Sequence, residues 1–200
     1  MGLVQLMGRD AGYIALHAAQ ASGDVNLVLI PEAPWRLSRL LAWLEKRLEE
    51  RKHAVIVVAE GAESLETKEA KAAAAAGGGA SIVAVDASGH KAKDKVGEEL
   101  SGAITRHFGA LGKPCKVVFI NPSYIIRSSP PCASDANLCT TLAQNAVHGA
   151  FAGYTAVTVG VVENHHVFLP IEALSTRKVD ITGRLYARVC ASTGQPKLDD

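Results

Sequence analysis

The sequence has almost no excess of charge, because its 21 Lys and Arg residues are balanced by 20 Asp and Glu residues in a chain of 200. This balance excludes attraction by bulk charge to nucleic acid or to an anionic membrane, and we expect neither partner. Any anion that the chain binds must therefore be held by a few placed groups.

Long apolar runs and cysteine pairs are also lacking. No run approaches the length of a membrane span, and the start, MGLVQLMGRD, lacks the basic residues and long apolar stretch of a secretory signal. The four cysteines form no CxxC pair. We therefore expect reduced cysteines and a cytoplasmic protein, with the plastid stroma as the other possible compartment.

Signatures of nucleotide loops and catalytic triads are missing as well. No P-loop and no GxGxxG follows a strand, and no Ser/His/Asp order is visible. His165 and His166 are adjacent, so in a strand they would face opposite ways and could not share a metal ion. We predict no metal ligands here, only groups that bind anions and polyols.

What is present is an alternation of apolar runs and amphipathic helices. Continuous apolar runs occupy residues 3–7, 26–30 and 53–59, and each predicts a buried strand. Between the last two, leucines recur at helical spacing: Leu37, Leu40, Leu41, Leu44 and Leu48. Unbroken apolar strands separated by such helices indicate an α/β fold with a parallel sheet covered on both faces.

The rest of the chain is more varied. Residues 63–80 include the low-complexity run AAAAAGGGA, which predicts a flexible, solvent-exposed insertion. Residues 81–85 could form a short strand, residues 93–108 a helix and residues 116–120 a strand. Ser134 is the expected N-cap of a long helix. Strand-like segments at 154–162 and 166–169 flank a polar, hairpin-like junction, and a last helix over 181–191 is expected to end at Gly194.

Three features follow predicted strands, at the points where an open parallel sheet collects ligands. The first is Met7-Gly8-Arg9, after the first strand. Glycine would let a ligand approach the backbone, free N–H groups at the following helix start would favour an anion, and Arg9 adds a planar cation. The alternative is a turn with a solvated arginine.

The second feature is Glu60, which closes the strand HAVIVVA and precedes Gly61. A carboxylate in this place can accept hydrogen bonds from sugar hydroxyls. The alternative is a polar residue that only marks the exit of the strand into a loop.

The third feature is the segment Tyr124-Ile125-Ile126-Arg127, after the strand KVVFI. Tyr124 and Arg127 are three residues apart, so in one helical turn or a tight bend they could converge on one cluster of oxygens. The alternative is a loop arginine with a tyrosine packed beneath it.

Several segments of the sequence resemble segments that occur in the same order in the phosphofructokinase family. They are LMGRDAGYIALHAAQASGDVNLVLIPEAPW, VIVVAEGA, NPSYIIR, ASDANLCTTLAQNAVHGAFAGYTAVTVG and STGQP. The resemblance points to the plant and protist ATP-dependent branch and fades only near residues 63–80. It implies a phosphofructokinase-like three-layer α/β fold of which this chain is the C-terminal, substrate-binding half.

The resemblance also implies an activity, the transfer of the γ-phosphoryl group of ATP to the 1-hydroxyl of fructose 6-phosphate, with Mg²⁺. Met7, Gly8 and Arg9 resemble the loop that lines the sugar phosphate, and Glu60 resembles the carboxylate that orients sugar hydroxyls. The segment from Tyr124 through Ile125 and Ile126 to Arg127 resembles the grip on the 6-phosphate. Family members form homo-oligomers, dimers or tetramers.

Two departures from the family pattern qualify this expectation. Asn121 stands where the branch usually has an aspartate, and nothing resembling the family's nucleotide loop or general-base segment precedes Met7. We therefore expect no catalytic residue here, ligands of ATP and Mg²⁺ mostly in a missing half, and no kinase activity from the isolated chain.

The resemblance further divides the chain into two regions. Residues 1–127 would form the fructose 6-phosphate-binding domain, and residues 128–200 would pack towards the missing ATP-binding domain. An apolar stripe on the long helix would then be under-packed; it consists of Leu138, Leu142, Val147 and Phe151. Two rival functions stay open: a pyrophosphate-dependent phosphofructokinase, and a non-catalytic regulatory subunit that binds sugar phosphate.

Overall fold

A computed structural model of the chain describes residues 1–76, 95–113, 115–174 and 177–199. It divides into two compact units, one formed by Met1–Ser123 with Lys178–Asp200 and the other by Tyr124–Arg177. The described residues form six α-helices: α1 (Tyr13–Ser22), α2 (Leu37–Arg51), α3 (Leu65–Ala76), α4 (Val96–Ala110), α5 (Ala133–Phe151) and α6 (Arg184–Thr193).

The first unit is built on four parallel strands, β1 (Gly2–Leu6), β2 (Leu27–Leu29), β3 (Val55–Ala59) and β4 (Val118–Ile120). Their order in the sheet is β2-β3-β1-β4, and every pairing is parallel. Each lies within two residues of a predicted strand, and the α/β prediction is confirmed. The possible strand at 81–85 lies outside the described residues.

Helices cover β2 and β3 because these strands are apolar on both faces, whereas Val118 (48%) and Ile120 (49%) of the edge strand β4 are exposed. All three residues of β2 and four of the five in β3 are buried. The leucine stripe predicted for α2 contributes Leu40 and Leu44, both completely buried. Helix α1 packs against β2 and β3, and α4 packs against β1 and β4. The core is therefore formed by the strands and the helices packed on them, and polar residues such as Glu60 follow the ends of the strands.

Residues 65–76 form helix α3, where the sequence predicted part of a flexible, solvent-exposed insertion. Residues 77–80 of that prediction lie outside the described residues. The start of α3 is tied to the start of α2, because the Glu66 carboxylate accepts hydrogen bonds from the Leu37 N–H (3.0 Å) and the Ser38 N–H (3.4 Å). Ser64, just before the helix, is buried and accepts the N–H of Thr67 at 3.1 Å. These hydrogen bonds fix the start of α3, although the sequence of the helix has little amphipathic pattern of its own.

The boundary between the units differs from the division expected at residue 127. Residues 178–200 belong to the first unit, because α6 contacts α1, and Val189 and Leu198 are buried in its core. The Gln195 side chain also accepts the N–H of Val28 at 2.9 Å and so covers the edge strand β2. Gly194 ends α6 in a left-handed conformation (φ 64°), as predicted.

The second unit combines α5 with an antiparallel hairpin of β5 (Val157–Val162) and β6 (His165–Pro170). Its two turn residues, Glu163 and Asn164, have φ angles of 49° and 64°, as a two-residue hairpin turn requires. The hairpin predicted from the polar junction is thus confirmed. The Ser134 N-cap is wrong: the N-cap of α5 is the extended Cys132, two residues earlier, and no side-chain hydrogen bond caps the helix.

The apolar stripe of α5 is under-packed within its unit, as expected. Phe151 is 89% exposed, Val147 54% and Leu138 43%, and Leu142 is half-buried. Exposed apolar side chains of this kind favour association with another surface.

Candidate functional site

Two of the three predicted features leave the sheet side by side. In the register of the sheet Leu6 is paired with Ala59, so Met7 and Glu60 are the first residues beyond two neighbouring strands. The Glu60 N–H donates a hydrogen bond to the Leu6 carbonyl oxygen at 2.9 Å. The loops that follow β1 and β3 therefore start from one fixed point on the carboxyl edge of the sheet.

These two loops are also in direct backbone contact. A Cβ atom on Gly61 would lie 1.9 Å from the Arg9 carbonyl oxygen, so only glycine permits the approach. Gly8 has a φ of 151°, and a Cβ there would lie 2.8 Å from the Ala11 carbonyl oxygen. Met7, Gly8, Arg9 and Glu60 are all half-buried, so this assembled edge remains accessible.

At the start of α1, a carboxylate of the protein itself binds a backbone N–H group that the sequence predicted to be free. We expected free N–H groups there for an anion, but the Gly12 N–H is bound by both carboxylate oxygens of Glu32, at 3.1 Å each. Glu32 lies in the loop after β2, close enough to α1 to take this donor. The N-cap amide, which is nearest the loop, is thus committed to the protein, and anion binding here relies more heavily on Arg9.

Glu32 was not among the residues selected from the sequence. It follows the apolar run NLVLI in the same way that Glu60 follows HAVIVVA, so the strand-end rule that selected Glu60 would have selected it too. The contact itself depends on the packing of α1 on β2, which no local pattern encodes.

The third feature lies in a 3₁₀ helix, Ser123–Ser128, which follows β4. This helix has three residues per turn, so positions 124 and 127 stand one turn apart. The side chains of Ile125, Ile126 and Arg127 are exposed, Ile125 by 74%. The Ser128 hydroxyl donates to the Ile125 carbonyl oxygen at 2.7 Å and closes the turn. Tyr124–Arg127 belong to the second unit, whereas Met7–Arg9 and Glu60 belong to the first.

The described residues offer no ready metal site. Among residues 1–76, 95–113, 115–174 and 177–199, no group of three or more His, Cys, Asp or Glu side chains could hold a metal ion. Over the same ranges, no helix has the length and apolarity needed to cross a membrane. All four cysteines are free thiols.

Comparison with known proteins gives a consistent family. A sequence model described as phosphofructokinase matches residues 1–150. "ATP-dependent 6-phosphofructokinase 1" of Arabidopsis thaliana is 43% identical over 204 residues, covering 99% of this chain and 41% of that protein. "ATP-dependent 6-phosphofructokinase 5, chloroplastic" of the same plant is 40% identical, covering 98% of this chain and 35% of that protein.

Solved structures share the fold. The crystal structure of a pyrophosphate-dependent phosphofructokinase from Marinobacter aquaeolei superposes with a TM-score of 0.62 at 19% identity. The superposition covers 100% of this chain and 48% of that one. The chain therefore spans less than half the length of these relatives.

Proposed function

Because the chain belongs to the phosphofructokinase family, we propose that it is the sugar-phosphate-binding part of an ATP-dependent 6-phosphofructokinase. The complete enzyme would transfer a phosphoryl group from ATP to the 1-hydroxyl of fructose 6-phosphate and form fructose 1,6-bisphosphate. The observation that carries this proposal is the contact of the Met7–Arg9 and Glu60–Gly61 loops at the carboxyl edge of the parallel sheet.

Each residue of this edge has a chemical role in the proposal. Arg9 presents a planar cation suited to phosphate oxygens, and the Glu60 carboxylate accepts hydrogen bonds from sugar hydroxyls. Gly8, whose φ is 151°, permits the turn that presents the backbone of this loop. In the second unit, the segment of Tyr124, Ile125, Ile126 and Arg127 is assigned to the 6-phosphate by its resemblance to the family's phosphate grip, through the guanidinium fork of Arg127.

ATP and Mg²⁺ are the donor and metal of the proposed reaction. Among the described residues no group of three or more His, Cys, Asp or Glu side chains could hold a metal ion, and we propose no magnesium ligand from them. Phosphoryl transfer depends on positioning donor, acceptor and metal together. We propose that the 200-residue chain binds fructose 6-phosphate but does not phosphorylate it, and that the remaining length of the enzyme supplies the donor site.

ATP rather than pyrophosphate is proposed as the donor because the relatives at 40–43% identity bear ATP-dependent names. The structure with a pyrophosphate-dependent name is 19% identical and supports the fold alone. Rates of fructose 1,6-bisphosphate formation with each donor, measured on a protein that contains this chain with a donor domain, would decide between them. No product with either donor, despite sugar binding, would favour the regulatory subunit.

Calorimetric titration of fructose 6-phosphate into the chain tests the acceptor site. We expect saturable binding that Arg127→Ala weakens by about tenfold, the loss of one charge-assisted phosphate contact. Arg106→Ala removes an exposed arginine on α4 and serves as the matched control, with unchanged affinity. Absence of binding by the unmodified chain would refute the proposal, and product formation from ATP in a coupled assay would refute its inactivity.

A further inference from the structure

Glu32 joins three separate segments of the first unit through one carboxylate. It lies in the loop after β2, and both its oxygens accept the Gly12 N–H at 3.1 Å. Its Oε1 also accepts the Val179 N–H at 2.8 Å. The loop after β2, the start of α1 and the segment that leads to α6 therefore meet at this side chain.

Two further contacts hold these three segments together at the junction around Glu32. A Cβ on Gly12 would lie 2.4 Å from Ile30 Cγ2, so the start of α1 touches the end of β2 where only glycine fits. The Tyr13 hydroxyl donates to the Lys178 carbonyl oxygen at 2.8 Å. Gly12 is buried and Glu32 is half-buried, which shields the hydrogen bonds from competing water.

The junction bears directly on the loop that carries Arg9. At one side, the Arg9 carbonyl is packed on Gly61; at the other, Gly12 is fixed by Ile30 and Glu32. Arg9 is three residues before Gly12, so the short span between the two residues is held at both ends. We propose that Glu32 is a positioning residue: it sets the backbone of the Met7–Arg9 loop for the sugar phosphate without contacting the ligand. This inference rests on the function proposed above.

An electrostatic role and a positioning role of Glu32 predict opposite effects of Glu32→Gln on ligand affinity. Its carboxylate stands at the positive end of α1, so a purely electrostatic role would oppose a nearby phosphate, and Glu32→Gln would tighten binding. In the positioning role, the Gln carbonyl oxygen can replace Oε1, but the NH2 group then takes the place of Oε2, 3.1 Å from the Gly12 nitrogen. Two donors face each other there, and the loop shifts. Glu32→Gln then weakens binding, and so does Glu32→Asp, which keeps the charge but is one methylene too short to bridge the segments.

Glu66 provides a matched control within the same chain. Its carboxylate accepts two backbone N–H groups at the start of α2, as Glu32 accepts one at the start of α1 and another at Val179. Glu66→Gln should lower stability by a comparable amount yet leave the Met7–Arg9 loop in place. Comparison of Glu66→Gln with the Glu32 variants therefore distinguishes a general loss of stability from a displacement of the Met7–Arg9 loop.

The test combines calorimetric titration of fructose 6-phosphate with hydrogen–deuterium exchange on the 200-residue chain, well below its melting temperature. Glu32→Gln and Glu32→Asp should each raise Kd about tenfold and speed exchange at Gly12 and Val179. Glu66→Gln should change Kd less than about twofold and speed exchange at Leu37 and Ser38 instead.

Unchanged or tighter binding by Glu32→Gln, or an equal loss in Glu66→Gln, would overturn the inference. If the unmodified chain does not bind fructose 6-phosphate, the proposed function fails. Hydrogen–deuterium exchange alone then shows whether the conformation of the Met7–Arg9 loop depends on Glu32. Faster exchange across residues 8–12 in both Glu32 variants supports positioning, and unaltered exchange there overturns it.

Discussion

Gly61→Ala is the substitution that most directly probes the contact between the two strand-end loops. The added Cβ would begin 1.9 Å from the Arg9 carbonyl oxygen and 3.2 Å from that of Gly8. To reach ordinary van der Waals separation, the Arg9 carbonyl must retreat by roughly 1.5 Å. Both partners are backbone atoms, so no flexible side chain can absorb this shift.

Overpacking of this kind typically costs about 1–3 kcal/mol of the free energy of unfolding, and we expect the upper part of that range. The displacement moves Arg9 relative to Glu60, so we also expect the Kd for fructose 6-phosphate to rise by about tenfold or more. Chemical denaturation measures the first quantity and calorimetry the second.

The control is Gly102→Ala, in the interior of α4, where a Cβ would meet no atom within 4 Å. Alanine is the better helix former, so this variant should gain about 0.5–1 kcal/mol and bind the sugar phosphate unchanged. If Gly61→Ala unfolds and binds like the unmodified chain, the two loops do not meet as described and the argument from their contact fails.

Three further predictions concern parts of the fold away from that contact. Burial raises the pKa of Glu66, but hydrogen bonds from Leu37 and other donors outweigh it and leave the pKa below the ordinary glutamate value. The stabilisation is therefore present above the ordinary glutamate pKa and lost as the pH falls through the lowered pKa, so acid titration of stability should be shallower in Glu66→Gln. Gln195→Ala leaves the Val28 N–H without its side-chain acceptor and should cost about 1–2 kcal/mol, seen as a lower melting temperature; an unchanged value would contradict that role. Phe151→Ser alters a side chain that is 89% exposed, so it should change stability by less than about 0.5 kcal/mol while reducing self-association in light scattering; a large loss of stability would show that Phe151 is packed.

The parallel sheet could be predicted because its strands are short apolar runs with helices between them. The runs at 26–30 and 53–59 carry their own signal, and so does the leucine stripe of α2. The strand-end rule likewise selected Met7–Arg9 and Glu60, which the register of β1 and β3 then brings together.

What the sequence did not reveal depends on contacts between distant segments. Helix α3 has no strong periodicity, and its start is fixed by Glu66 reaching the start of α2. The segment after residue 177 joins the first unit through the Val179–Glu32 and Gln195–Val28 hydrogen bonds. Each links residues more than 140 positions apart, beyond the reach of any local pattern.

The most direct test of the central claim is hydrogen–deuterium exchange of the chain with and without saturating fructose 6-phosphate. The account predicts slower exchange in the ligand complex over residues 7–12, 60–62 and 123–127. Protection confined to other parts of the chain, or none at ligand concentrations that saturate the calorimetric signal, would contradict it.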